Sequence, residues 1–565
     1  MKRSLSALLL SLPAAILAQD GVGVSILSFG ADATGQSDVS DALNRAIAAT
    51  AHIVVPPGRY LLNGKETVNL ANVYLDCQGT TASANTPPAY GSTGATFLLT
   101  STTVQPFTVA SGVRIRNCNF FWPKQIGASA MPIVYPPLFT EPLGSQMANF
   151  DLIDARIINA YDVINAADAK DAFGAINLTD TQGYAVHAWF NLANVPETVT
   201  IKGMITDTSF YQNVANTGNA YLAKYTARNG TFLHSFGNGN GTTGSTVAVQ
   251  GFIFSGSIFG YSRFIWVDST GALAESSFQG IVDAVPHAIE VDGGGCMANV
   301  RIDAIYYSYE WRGTGADNAP VFSIGHAPPS SCGSAGIDIR GQMVRSQGDV
   351  IDLTGNGIGT VSVQLAGNGV FGKSSTAGPY YFANIDSMTA SFSAIGNFVQ
   401  PPKPSIDYRG FLIQNCHLCT IEANQFNGIY NPISIARASI PVVGSGNVST
   451  ASMIGSSIVG TGIYSHRLQM QDNSWDTLPV PVPVSCGANA SVVGNDQVGR
   501  LMVGEGTITS CTLKFAQSYA PATPNCSFSA TVNAYLYISE ATPSAVTIAS
   551  SANLGGGAIY YSCLV

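Results

Sequence analysis

The chain has 565 residues, of which 46% are hydrophobic and only 10% charged, with 59 glycines and a net charge of −9. So few charges exclude a surface held together by ion-pair networks, and the negative balance excludes nucleic acid as a partner. Acidic glycans would need a local basic patch or a metal ion to be held, and the length fits two or three ordinary domains or one long solenoid with an appendage. Reading from the N-terminus, Lys2-Arg3 precedes an apolar run from Leu5 to Leu17, the pattern of a secretory signal over residues 1–18. Pro13 interrupts that run, which is too short for a comfortable membrane span, and no later stretch holds eighteen uninterrupted apolar residues. A secreted or cell-surface protein is expected, and ten cysteines suit an oxidising compartment.

Residues 24–62 read as strand, Gly/Asp turn, amphipathic helix near 38–50, apolar strand, Pro-Pro-Gly turn and strand. Within them, Phe29-Gly30-Ala31-Asp32, then Asp38 and Asp41 ahead of Ala42, Leu43 and Ala46, then Val54-Val55-Pro56-Pro57-Gly58 carry a resemblance. The segment resembles the opening of the pectate-lyase-like right-handed parallel β-helix proteins. That resemblance implies an all-β solenoid whose first coil is closed by an apolar helix face, and long polysaccharides as the substrate class.

From about residue 145 to 440 a cadence supports the same architecture. Short apolar strands such as RFIWVD (263–268), AIEVDG (288–293), PVFSIG (320–325) and DVIDLTG (349–355) alternate with partner strands such as NVRIDAI and AGIDIRG. The steps from Trp266 to Glu290, Ser323 and Asp352 are 24, 33 and 29 residues, an irregular period that fits β-helix coils with variable loops. Alternation puts Ile265/Val267, Ile289/Val291, Phe322/Ile324 and Ile351/Leu353 inside as stacked ladders. Asn397 and Asn424 suit turn positions with left-handed geometry. The Pro- and aromatic-rich residues 121–143 read as a long loop over the wall.

The cadence dissolves after about residue 445, and LPVPVPV (478–484) reads as an extended linker. The expected organisation is therefore a β-helix over 19–475, a linker over 476–485 and a β-rich module over 486–565. The module's GNDQVGRLMVGEG and TSCTLKFA runs resemble the small C-terminal modules of tail-fibre and exported β-helix proteins of bacteria and phages, which implies a module that either attaches the helix or joins it into a homotrimer. Cys486, Cys511, Cys526 and Cys563 would make two bridges of unreadable pairing. Cys416-His417-Leu418-Cys419 is open between a structural disulfide, buried thiols and a zinc or redox pair.

Chemistry is expected on the outward residues of the first strand series. Trp266 and Asp268 should lie beside Glu290 and Asp292 one coil on, with Ser323, then Asp352, then Asn384 or Asp386 following. Glycoside hydrolysis needs one protonated and one ionised carboxylate, which makes Glu290, Asp292, Asp352 and Asp268 the catalytic candidates. Trp266, Arg301, Tyr307 and Trp311 are the candidate substrate-binding residues. A lyase would need a base and a charge neutraliser, with calcium held by Asp268, Glu290 and Asp292 and Arg301 as base or clamp; no basic residue is expected in the acids' own row. Hydrolysis needs no cofactor. His187 and His234 fall in consecutive coils and would face each other if both point outward, though ordinary packed histidines are the simpler reading.

The signatures of the polygalacturonase family are missing. Asn177-Leu178-Thr179-Asp180 is a loosened Asn-x-Asp, Asp292-Gly293-Gly294-Gly295 lacks the family's histidine, and Arg301-Ile302-Asp303 ends in acid rather than lysine. The resemblance thus implies a fold and a broad link to polysaccharide, and no family catalytic residue. The expected function is cleavage of a polysaccharide, by hydrolysis before elimination; the alternative is a non-catalytic glycan-binding surface fibre or adhesin.

Overall fold

The computed structural model describes residues 23–564 outside the segments 80–93, 126–131, 143–146, 167–173, 194–197, 208–229, 237–248, 284, 308–319, 326–334, 346–348, 355–359, 366–368, 371–379, 387–390, 401–407, 415, 417, 430–431, 438–441, 446, 451–457, 461–467, 472–473, 476–479, 495, 497 and 517–522. The expected signal segment 1–18 lies outside the described residues. The chain is a right-handed parallel β-helix followed by a small antiparallel module.

Each coil contributes to three stacks of parallel strands. The first stack runs from Val24–Ser25 through His52–Val55 and Val73–Cys77 to Leu418–Glu422, Val442–Ser445 and Leu468–Gln471. The second includes Gly58–Leu62, Ala95–Leu99 and Asn119–Phe121 early on, and Phe398–Gln400, Gln425–Asn427, Val448–Thr450 and Ser474–Trp475 at the end. The third begins at Val68–Leu70 and includes Thr231–Ser235, Arg263–Val267, His287–Val291, Phe322–Ile324, Ile351–Thr354 and Tyr380–Asp386.

The two strand series legible in the sequence are the third and first stacks. The second stack escaped notice because in the middle coils it continues the first without a break: Ala272–Asp283, Cys296–Tyr307 and Ala335–Arg345 each bend from one stack into the next. The coils also extend further than the cadence, starting at Val24 and continuing past residue 445 to Trp475.

The predicted interior ladders are all buried, as strand alternation requires. Residues 121–143 depart from the expected surface loop: Trp122, Tyr135, Leu138 and Phe139 are buried in the core, and Phe139–Thr140 is a strand of the third stack. Their aromatic bulk is interior packing.

The helix Ser40–Ala49 covers the open first coil. Ala42, Leu43 and Ala46, spaced three and one apart, form its buried stripe, and the Asp38 carboxylate accepts from the Ser40 amide at its start at 2.9 Å. Asn44 also closes the exposed edge: its amide donates to Thr67 O at 2.9 Å and its oxygen accepts from the Asn69 amide at 3.1 Å.

At the far end, Asn397, Asn424 and Asn447 are buried and bond one another coil to coil. The left-handed residues there are their predecessors Gly396 (φ 71) and Ala423 (φ 52), not the asparagines themselves as expected. The bend frees backbone groups inside the coil, and the carboxamides satisfy them.

The C-terminal module is two four-stranded antiparallel sheets. Val482–Val484 pairs with Ser510–Lys514, so the end of the supposed linker is a strand of the module. Cys486 pairs with Cys511 and Cys526 with Cys563, which settles the open connectivity, and Cys416–Cys419 is a disulfide, not two free thiols or a zinc-bound pair. Cys77–Cys118 ties two early coils.

Candidate functional site

Because consecutive strands of the third stack pair in parallel, one outward position recurs in register over many coils. It runs Asn165, Asn191, His234, Trp266, Glu290, Ser323, Asp352, Asn384. The sequence-derived row from Trp266 to Asn384 is therefore real. Glu290 and Asp352 are separated by one intervening coil, and Asp292 follows Asp268 at the strand ends, its amide bonding Val267 O at 2.9 Å.

The centre of the row is a packed stack. The His234 ring lies 4.1 Å from Trp266 with the planes 9° apart. The guanidinium of Arg263 sits 4.6 Å from the same indole and grips Glu290 through Nε and Nη2. His234 comes from the preceding coil and Arg263 reaches toward the following one, so groups from both directions pack against the part-buried indole. The Trp266 Nε1 donates to Asp292 Oδ2 at 3.0 Å.

Two departures from expectation follow. Basic groups do accompany the acids: His234 is in their row and Arg263 borders it. Nor do the two histidines face each other. His234 is in register with Asn191 and contacts Asn191 Oδ1 at 2.7 Å and Asp268 Oδ2 at 3.3 Å, whereas His187 bonds the buried Asp162 at 2.6 Å. Arg263 was missed because both Phe264 and Ile265 are buried, so strict alternation does not carry it to the outer face. The break in alternation within RFIWV was the available signal.

The environments of the acids differ. Asp268 is part-buried, which opposes ionisation, but His234 and the amide and hydroxyl of Thr270 donate to it and hold its pKa below the ordinary value. Asp292 is pushed up, first by burial and then by the neighbouring Glu290 and Asp268 charges, with the Trp266 N–H working against them. Asp352 is also raised by burial, against a 3.0 Å bond from Asn384, and burial lifts Asp349 to about 6.

The other candidates lie elsewhere. Arg301 is on the first stack, 3.6 Å from Asp303, and its strand pairs with Ala272–Asp283 and Ala335–Arg345, not with the strands of Glu290. Tyr307 ends that same strand, its backbone in register with Asp283 and Arg345, and Trp311 lies outside the described residues. The arrangement considered for calcium is not formed: among the described residues no three of His, Cys, Asp or Glu converge, and Asp268, Glu290 and Asp292 are directed to His234, Arg263 and Trp266.

No protein-family model and no curated protein sequence matches the chain. Among solved structures it is similar to a tailspike protein of E. coli bacteriophage HK620 in complex with a hexasaccharide, at 9% identity and a TM-score of 0.46 over 96% of this chain and 93% of that one. It is also similar to the catalytic unit of a GH87 alpha-1,3-glucanase from Streptomyces thermodiastaticus, at 13% identity and a TM-score of 0.33 over 82% and 70% of the two chains. A third is the Streptococcus pneumoniae surface protein and adhesin PfbA, at 11% identity and a TM-score of 0.28 over 80% and 97%. Identities this low are a likeness in the course of the chain, not in its chemistry.

Proposed function

We infer that the chain is an exported carbohydrate-active enzyme, a distant relative of the pectate-lyase-like β-helix proteins, that hydrolyses a polysaccharide on the outer face of its third strand stack. The observation that carries this is the pair Asp268 and Asp292, on adjacent coils and driven in opposite directions. Hydrolysis requires that division: Asp292, the acid whose pKa is pushed up, gives its proton to the leaving oxygen as the glycosidic bond breaks, Asp268, the acid favoured in its ionised form, attacks the sugar, and water then releases the glycosyl-enzyme. Adjacent coils lie about 4.8 Å apart, close to the about 5–5.5 Å carboxyl separation of a retaining mechanism. Glu290 is ion-paired with Arg263 and acts as a positioning residue that fixes Arg263 against Trp266. Asp352 lies on the same face two coils on, where it accepts from Asn384.

Reducing-end release from a panel of polysaccharides is the direct test, with ultraviolet absorbance of unsaturated ends followed in parallel. Asp292→Asn and Asp268→Asn should each lower the rate by at least about a hundredfold, in the range of a lost general acid or base. Unsaturated products would replace this reading with a lyase using His234 or Arg263. Binding without cleavage of any polymer, unchanged in both variants, would replace it with a glycan-binding fibre. The expected trimer belongs to the same proposal and is tested by comparing the solution mass of the full chain with that of one ending at Trp475.

A further inference from the structure

Away from the Glu290 row, the first and second stacks meet in a crease that opens into a groove of about 440 Å³, within the range of ligand sites. Its floor is the column Gly280, Ala304 and Gly341, paired coil to coil. Gly280 (φ +136) and Gly341 (φ +128) sit where a Cβ would meet the carbonyl oxygens of Gly256 and Ala304 at 1.8 and 1.7 Å. The crease therefore depends on glycine at both positions. One bank presents Asp303, Arg340 and Gln364 in register, one per coil, and the other presents Ile305 and Gln342.

The charges beside the groove cancel. Arg301 stands 3.6 Å from Asp303, and Arg340 donates to Asp338 at 3.0 Å. Arg301 is in register with Asp338, and Asp303 with Arg340, so cations and anions alternate in both directions. Such a surface has no preference for a charged polymer. What it offers is planar groups with paired donors or acceptors (carboxylate, guanidinium, carboxamide) facing an isoleucine. A pyranose ring complements both features, with vicinal hydroxyls along its edge and C–H groups on its face. Because the same chemistry recurs every about 4.8 Å along the axis, a polymer lying parallel to the axis meets it at successive sugars.

We propose that this crease is a second, non-catalytic glycan-binding groove that holds an uncharged polysaccharide along the helix axis through Asp303, Arg340, Gln342 and Gln364. It goes beyond the hydrolysis inferred above and does not require cleavage to occur. Two binding faces on one chain would raise retention on long polymers without any gain on short ones.

The test is affinity electrophoresis of the full chain through gels containing dextran, mixed-linkage β-glucan or galactomannan, against polygalacturonate and alginate. Wild type, Asp292→Asn and the double variant Gln342→Ala/Gln364→Ala are compared. Both glutamines are exposed, so the double variant keeps its fold, which near-ultraviolet circular dichroism verifies. At least one uncharged polymer should retard wild type and Asp292→Asn equally, and the double variant should bind it about tenfold more weakly, the equivalent of about 1.4 kcal/mol. Equal retardation of the double variant and wild type overturns the proposal, as does retardation by the anionic polymers alone or by none. Loss of retardation in Asp292→Asn would move the binding to the catalytic face and also overturn it. If nothing is cleaved but retention depends on the glutamine pair, the hydrolase reading falls and the groove stands.

Discussion

Replacing Asn424 by alanine removes the middle rung of the asparagine ladder, and its cost can be worked bond by bond. The Asn424 oxygen accepts from the Asn397 amide at 3.0 Å and from Asn397 Nδ2 at 2.8 Å. Its Nδ2 donates to Ala394 O and to Asn447 Oδ1, each at 3.0 Å. The side chain is wholly buried, so no water replaces these partners. The Asn397 amide is then an orphaned buried donor, at about 1–3 kcal/mol; Asn397 Nδ2 keeps Val363 O and Asn447 Oδ1 keeps the residue 424 amide, and these two groups and Ala394 O lose about 1 kcal/mol each. The total, about 4–6 kcal/mol, exceeds the usual cost of a surface substitution several-fold. Urea unfolding of the full chain, followed by tryptophan fluorescence, should show a large drop in midpoint. Asn424→Asp should also destabilise, since it keeps the acceptor but loses both donated bonds. A loss below about 1 kcal/mol in the alanine variant would refute the reasoning, because it would mean that the freed groups find other partners.

Three further outcomes are expected. Trp266→Phe removes the N–H that favours ionised Asp292, so the acid's pKa should rise further and the alkaline limb of the rate profile should move to higher pH; an unmoved limb would deny Asp292 the acid role. Asp349 is lifted by burial from 3.8 to about 6, so the native state binds its proton more tightly than the unfolded chain. Its contribution to stability is full below pH 3.8 and is lost as pH rises through about 6, and Asp349→Asn should flatten that decline in denaturant titrations. The Cys77–Cys118 bridge spans 41 residues, and its removal by paired alanine substitution should cost about 4 kcal/mol on the loop-entropy estimate, read as a lowered denaturation midpoint with a smaller further drop on adding reductant than the wild type shows.

Much of the candidate site was legible because a strand's period of two is local. Once RFIWVD, AIEVDG, PVFSIG and DVIDLTG were aligned by their buried aliphatic residues, Trp266, Glu290, Ser323 and Asp352 had to fall in one outward row, and they do. The capping helix was legible for a similar reason, through the spacing of Ala42, Leu43 and Ala46. Arg263 was not, since two consecutive buried residues break the alternation that the reading relied on. Nor were the contacts of Trp266 with His234 and Arg263, because what packs on an indole depends on side chains whose reach the strand pattern does not give.

The chain's own order of residues thus determined that strands form, which side of each is apolar, and that a helix closes the first coil, all consequences of neighbours within a few positions. Only the tertiary structure decided that each coil has three sides, that Arg263 pairs with Glu290 while Asp268 and Asp292 are shifted in opposite directions, and that Gly280 and Gly341 open a groove on another wall. Those outcomes depend on which residues lie one strand spacing apart, and with coils of 24 to 33 residues and loops of unequal length, that proximity is set by the winding of the chain and not by its local pattern.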